Sequence, residues 1–265
     1  MKAIILSAGQ GKRLLPLTET MPKCLLSVDA DRPALEIQLH ALADCGIQHA
    51  TIMVGFGAEK VESFLATCPV RGIDVTVRYN PFFAVSNNLA TCWTARPEMH
   101  EDFLLLNGDT LFEPAVLERL LVAPSAPIVL AIDRKAVYDA DDMKVSVRDE
   151  RSLTAVGKTL PASQVNGESI GLMRFRASGG EAFRTALETA MREPASLQRW
   201  YLSVIDTLAD SSLVEVASIE GLWWAEIDTP GDLAQVRAHF VSQQATLSSY
   251  ETSSLDETLS PVGEP

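Results

Sequence analysis

A chain of 265 residues with 47% hydrophobic and 22% charged positions has the make-up of an ordinary globular protein of one or two domains, which excludes global disorder and a core too small to stand alone. Acidic residues number 35 against 22 basic, a net charge of −13, so nucleic acid and anionic membrane are not expected as partners, and any bound anion must meet local positive charge. Apolar runs such as Phe103-Leu104-Leu105-Leu106 fall far short of the ~20 residues of a membrane span, and the amino terminus opens into a strand without a cleavable signal pattern. The expectation is a soluble, cytoplasmic protein.

In chain order, Lys2 to Ser7 is a short apolar run stopped by Gly9 and Gly11, as suits a buried parallel strand feeding a glycine turn. A helical pattern follows over 34–45, then a strand over 50–54, a helix over 58–66, a strand over 74–79, a helix over 86–95 and the strand Phe103 to Leu106. This alternation predicts βαβ units and a doubly wound, mostly parallel α/β sheet. Beyond Asp109 the rhythm loosens. A helix is predicted over 113–121, a strand over 128–132, a hairpin from 143–148 and 153–158, a strand over 169–175, helices over 180–192 and 197–209, strands over 213–219 and 223–227, and a last helix after Pro230. The reading is one domain over 1–240 with an inserted hairpin layer. Residues 241–265 hold four acidic residues and no Lys or Arg among many Ser and Thr, and are expected to form a disordered acidic tail. Cys24, Cys45, Cys68 and Cys92 are spaced without a C-x-x-C pair and read as reduced thiols rather than as a zinc or redox motif.

The segment Leu6-Ser7-Ala8-Gly9-Gln10-Gly11-Lys12-Arg13-Leu14, with Pro22-Lys23 after it, carries the most chemistry. Two glycines after a strand let backbone N–H groups face phosphate oxygens, and Lys12, Arg13 and Lys23 add cationic charge to an acidic chain. It is neither a P-loop, which needs Gly-Lys-Ser/Thr, nor a dinucleotide fingerprint, whose third glycine would stand at Leu14. Asp109 follows one apolar strand and Asp228 another, where open α/β sheets bind ligands, so the two carboxylates can converge on one Mg²⁺ that also takes substrate phosphates. As turn or helix-cap residues, each would be unremarkable. His40, His49, His100 and His239 are scattered, and none is read as catalytic.

The pattern A-G-x-G-x-R-L-x-P-L-T with P-K, then Asn107-Gly108-Asp109 and Ile227-Asp228-Thr229-Pro230, resembles the nucleoside-triphosphate transferases that activate sugars and alcohols. The resemblance implies a Rossmann-like nucleotidyltransferase fold. It implies nucleotide binding by Leu6, Ala8, Gly9, Gly11, Lys12, Arg13, Lys23 and Asn88, with Arg13, Lys23, Asp109 and Asp228 catalytic and the two aspartates holding magnesium. Ser7 and Cys24 stand where the family often has other residues, and neither removes a charge. The stretch Tyr79-Asn80-Pro81 through Asn87-Asn88, with Asp141-Asp142-Met143-Lys144 and Gly167-Glu168-Ser169, is similar to bacterial phosphocholine and phosphonate cytidylyltransferases. This favours CTP as donor and a small phosphorylated or phosphonylated acceptor. Ser86 is expected to cap the following helix. Asn87, Lys144, Glu168, Trp200, Tyr201 and Trp224 are expected around the acceptor, with Lys144 gripping its phosphate. Trp200, Tyr201, Trp223 and Trp224 suit a quaternary ammonium, whereas Glu168 and Asp142 suit a primary amine. A sugar 1-phosphate with UTP or dTTP, and a non-catalytic nucleotide-binding regulator, stay open as alternatives. A homodimer is compatible with the sequence but not read from it.

Overall fold

The computed structural model describes residues 1–209 and 211–257. The strands are β1 (Lys2–Ser7), β2 (Ser27–Asp29), β3 (Arg32–Pro33), β4 (His49–Val54), β5 (Asp74–Tyr79), β6 (Phe103–Asn107), β7 (Thr110–Phe112), β8 (Ile128–Asp133), β9 (Lys144–Arg148), β10 (Ser152–Val156), β11 (Gly167–Phe175), β12 (Val214–Ser218) and β13 (Trp224–Glu226). The helices are α1 (Ala34–Asp44), α2 (Ala58–Thr67), α3 (Asn88–Thr94), α4 (Pro114–Val122), α5 (Ala177–Ala190), α6 (Leu202–Ala209) and α7 (Pro230–Glu257).

Nine strands form one sheet in the order β5-β4-β1-β6-β11-β8-β12-β10-β9. The strands β5, β4, β1 and β6 run parallel, as the βαβ rhythm of the first half requires. β1 lies inside this set and is covered on both faces, which is why it reads as an unbroken apolar run. Its side chains alternate, Ala3 and Ile5 packing with Leu35, Leu39 and Val61 on one face, Ile4 and Leu6 with Leu89 and Phe103 on the other. Helices thus sandwich the sheet, and the fold is the expected doubly wound α/β class.

The second half makes the sheet mixed rather than mostly parallel. β11 is antiparallel to both β6 and β8, while β12 runs parallel to β8. The predicted hairpin is β9–β10, turned by Asp149 and Glu150 at positive φ and continued onto β12 and β11. The helix expected from Ser86 begins at Asn88. Asn87 is its cap, its Oδ1 accepting from the Asn88 backbone N–H at 2.8 Å, while Ser86 donates its hydroxyl to the Phe82 carbonyl. α7 crosses the boundary that composition places at 241, and Gln244 in it donates to Asp29 Oδ1 at 2.7 Å; the tail beyond 257 lies outside the described residues. Among the described residues no helix is long and apolar enough to cross a membrane.

A separate two-stranded ribbon positions the site. β7 and β13 pair antiparallel, Thr110 opposite Glu226 and Phe112 opposite Trp224, and the Ile227 N–H extends the ladder to the Asp109 carbonyl at 3.1 Å. Asp109 and Asp228 flank the same end of this ribbon, beside the carboxyl ends of β1 and β6.

Candidate active site

The loop after β1 folds as its glycines dictate. Gly11 has φ +72°, the left-handed region that glycine enters without strain. A Cβ on it would also lie 2.9 Å from the Lys23 side chain, so the same glycine lets Lys23 cross the loop. Thr18 closes the turn, its hydroxyl donating to the Gly11 carbonyl at 2.8 Å. A Cβ on Gly108 would stand 2.1 Å from Ser7 Oγ, so the 107–110 turn sits directly on the end of β1. Between them opens a cleft lined by Leu6, Ala8, Gly9, Gly11, Lys23, Asn87, Asn88, Asn107 and Asp109. Lys12 is exposed and lines none of the cavities described here. Arg13 lies outside this cleft and lines a cavity that adjoins it and a further one beyond.

The two distant aspartates meet. Lys23 Nζ lies 2.6 Å from Asp109 Oδ2 and 2.7 Å from Asp228 Oδ1, and Arg13 reaches Asp228 Oδ2 at 2.7 Å and Asp141 at 3.2 Å. Burial opposes the Lys23 charge, but the two carboxylates outweigh it and hold its pKa above the ordinary lysine value. Burial likewise works against the Asp228 charge, and Lys23, with help from Arg13, brings its pKa below the ordinary value. Asp109 Oδ1 is buried without a partner among the described residues, an acceptor in place for a cation. Among those residues no group of three or more His, Cys, Asp or Glu side chains gathers as a metal site. Two carboxylates at one point, one with an unused oxygen, fit a hard cation such as Mg²⁺ that completes its shell with waters and phosphates.

On the far side of the aspartates the cleft continues between Arg13, Asn87, Asp141, Lys158, Trp200, Tyr201 and Glu226. Trp200 is 42% exposed and Tyr201 fully buried, while the Lys158 ammonium lies 4.9 Å from the centre of the Trp200 ring. Glu168 and Trp224 line a third cavity, on the other side of Arg13 and Asp228.

Three expectations are corrected here. Lys144 is buried and lines none of these cavities; its ammonium donates to the carbonyls of Asp139 and, at 3.0 Å, Lys158. It ties two loops together, and its ammonium is engaged there rather than turned into the cleft. The aromatic residues do not form one cage: Trp223 stacks on His239 at 3.9 Å in a separate cavity, and Trp224 donates Nε1–H to Asp133 at 2.9 Å. Glu168 and Asp142 already share an ammonium from within the chain, Lys135, at 2.8 Å each. Burial, with Lys135 pulling the other way, places the Glu168 pKa at about 7.

Reading the sequence placed Asn107 and Asp141 in motifs without giving them a role, and missed Lys158 and Glu226. Burial and the neighbouring Asp109 and Asp228 push the Glu226 pKa up to about 8. Its signal was available: two residues before Asp228 at the end of a strand, it falls on the same side of the chain.

Comparison with known proteins sets this geometry beside similar chains. Residues 2–127 match the family described as nucleotidyl transferase. The chain is 34% identical over 248 residues to CMP-5'-(3-aminopropyl)phosphonate synthase of Streptomyces rubellomurinus, covering 91% of the chain and 39% of that relative. It is 27% identical over 241 residues to the bifunctional IPC transferase and DIPP synthase of Aquifex aeolicus, covering 90% of the chain and 51% of that relative. The chain therefore spans about half or less of the length of these two relatives. A 2-aminoethylphosphonate cytidylyltransferase of Lancefieldella rimae is 23% identical over 239 residues, covering 88% of the chain and 90% of that relative. Among solved structures, the inositol-1-phosphate CTP transferase from T. maritima superposes with a TM-score of 0.74 at 22% identity, covering 90% of this chain and 95% of that one. A UDP-glucose pyrophosphorylase superposes at 0.77 with 14% identity, covering 91% and 98%. At such identities the likeness shows the nucleotidyltransferase fold.

Proposed function

We propose that the chain is a magnesium-dependent cytidylyltransferase that moves CMP from CTP to a small phosphonate- or phosphate-bearing acceptor and releases pyrophosphate. The observation that carries this reading is the convergence of Asp109 and Asp228 on one ammonium at the mouth of the glycine-loop cleft. Loop N–H groups at Gly9 and Gly11, with Arg13 and Lys23, bind the triphosphate. Asp109 and Asp228 would hold the magnesium ion, which supplies charge neutralisation between the anionic acceptor and the triphosphate. An acceptor oxygen attacks the α-phosphorus, the bond from that phosphorus to the bridging oxygen breaks, and the bridging oxygen leaves with pyrophosphate. A phosphate acceptor has a second pKa of about 6 and attacks already ionised, so no dedicated base is needed. Catalysis is positioning and charge stabilisation.

CTP is supported by the relatives whose names carry CMP or cytidylyl transfer. On the acceptor side we favour an aminoalkylphosphonate over phosphocholine. The aromatic residues are dispersed, and the exposed indole at the cleft has a lysine over its face, so the cleft offers no open aromatic cage to a quaternary ammonium. In this reading Lys158 and Asn87 face the phosphonate end. The test is a matrix of CTP, UTP, dTTP and ATP against aminoethylphosphonate, aminopropylphosphonate, choline phosphate and glucose 1-phosphate, followed by pyrophosphate release. Turnover is expected with CTP and an aminoalkylphosphonate; preference for UTP or dTTP with glucose 1-phosphate would overturn the assignment.

A further inference from the structure

We propose that Gln38 is a positioning residue for the reaction, fixing the turn that aims Asp109; the proposal rests on the reading of Asp109 as a metal-binding carboxylate. Gln38 stands on the inner side of α1 and is 1% exposed. Its Nε2 donates to the Asn107 carbonyl at 2.9 Å and to the Thr110 carbonyl at 2.7 Å, the two peptide oxygens that bracket Gly108 and Asp109. One amide nitrogen with two hydrogens thus satisfies both ends of the turn, and the reversed amide would set Oε1 against two carbonyl oxygens.

The aim of Asp109 depends on this turn. Its Oδ2 meets Lys23, while Oδ1 is buried without a partner among the described residues, so its direction comes from the backbone beneath it. That backbone is held from three sides. Gly108 N–H donates to the Leu6 carbonyl at 3.0 Å, tying the turn to β1, and Ile227 N–H donates to the Asp109 carbonyl, tying it to β13. The third tie comes from α1 and is made by a side chain, so a substitution can remove it without touching the ladder. Other side-chain support is thin: Asn107 Oδ1 and Thr110 Oγ1 are both buried and unpartnered among the described residues. Residues that orient a metal-binding group from behind typically matter by 10- to 100-fold in affinity or activity.

The experiment compares Gln38→Met, which keeps length and helix propensity but no donor, and Gln38→Glu, which keeps the volume but has at most one hydrogen to give. Mn²⁺ is titrated by its paramagnetic resonance signal in the presence of a CTP analogue with a non-cleavable α–β bridge, and turnover is measured separately with CTP. The expected result in both variants is Mn²⁺ binding weakened about tenfold or more and kcat reduced to match, with KM for CTP within about twofold. Unchanged Mn²⁺ affinity and unchanged kcat in the folded protein, with only a lower melting temperature, would overturn the proposal and leave Gln38 a packing residue. Should Gln38→Met fail to fold, Gln38→Glu is read by the same criteria; failure of both to fold also overturns it. Asp109→Asn in parallel separates the two ideas. If it leaves Mn²⁺ binding intact the metal reading fails, whereas a loss there without a loss in the Gln38 variants fails the positioning claim alone.

Discussion

Replacing Lys23 with Met tests the charge arrangement at the centre of the site. The ammonium lies 2.6 and 2.7 Å from two carboxylates, and the three side chains are only 13%, 24% and 26% exposed. Removing one member of a fully buried pair costs about 3–5 kcal/mol, whereas an exposed pair contributes under about 1 kcal/mol. Half-buried and two-fold paired, Lys23 falls between, at about 2–3 kcal/mol, chiefly because Asp109 and Asp228 are left facing each other. For a chain of this length that loss lowers the melting temperature by roughly 4–5 °C in metal-free buffer. Saturating Mg²⁺ should return most of the loss in Lys23→Met and do little for the wild type, where the ion must first displace the ammonium. The assay is thermal unfolding by circular dichroism with EDTA or with Mg²⁺, for both proteins. A melting temperature within about 1 °C of wild type in EDTA, or equal stabilisation of both proteins by Mg²⁺, would refute the reasoning. The variant should also be nearly inactive, since the same ammonium is assigned to the triphosphate.

Two further outcomes follow from the surroundings of the site. In the pH range between the ordinary Glu value of 4.5 and about 7, folded Glu168 keeps a proton that the unfolded chain has given up. Wild-type stability is therefore drained as pH rises through that window and levels off above it, so the melting temperature of Glu168→Gln relative to wild type should climb from about pH 5 to about pH 8. A pH-independent difference would show that Glu168 titrates normally. Lys144→Met should cost about 1–3 kcal/mol by leaving the Asp139 and Lys158 carbonyls without a donor, with acceptor KM changed less than about twofold. A tenfold rise in that KM without destabilisation would restore Lys144 to the acceptor.

Much of the first half was legible because its signals are local. The apolar run of β1 and its glycine stop fix a strand and a loop, and the alternation to Leu106 specifies parallel neighbours. The approach of Asp109 to Asp228 could be expected because both end strands. The insertion of β11 antiparallel between β6 and β8 was not legible, since strand order is set by pairings between segments far apart in the chain. Lys144 was misread for a related reason: a lysine at the start of a hairpin looks solvated until the loops at 139 and 158 fold over it. The dispersal of Trp200, Trp223 and Trp224 likewise follows from tertiary packing that composition does not encode. Gln38 gave no sequence signal beyond a polar residue on the buried side of a helix.

The ribbon of β7 and β13 works as a yoke. Three residues from each strand clamp together two carboxylates whose stretches of chain are otherwise remote, and the whole span between them, including β9, β10 and β11, leaves and returns through this one joint. Loops in that span that touch neither Arg13 nor the aspartates can lengthen or shorten without altering the gap between Asp109 and Asp228. The architecture thus separates a fixed pair of carboxylates from a span of chain that can vary around it.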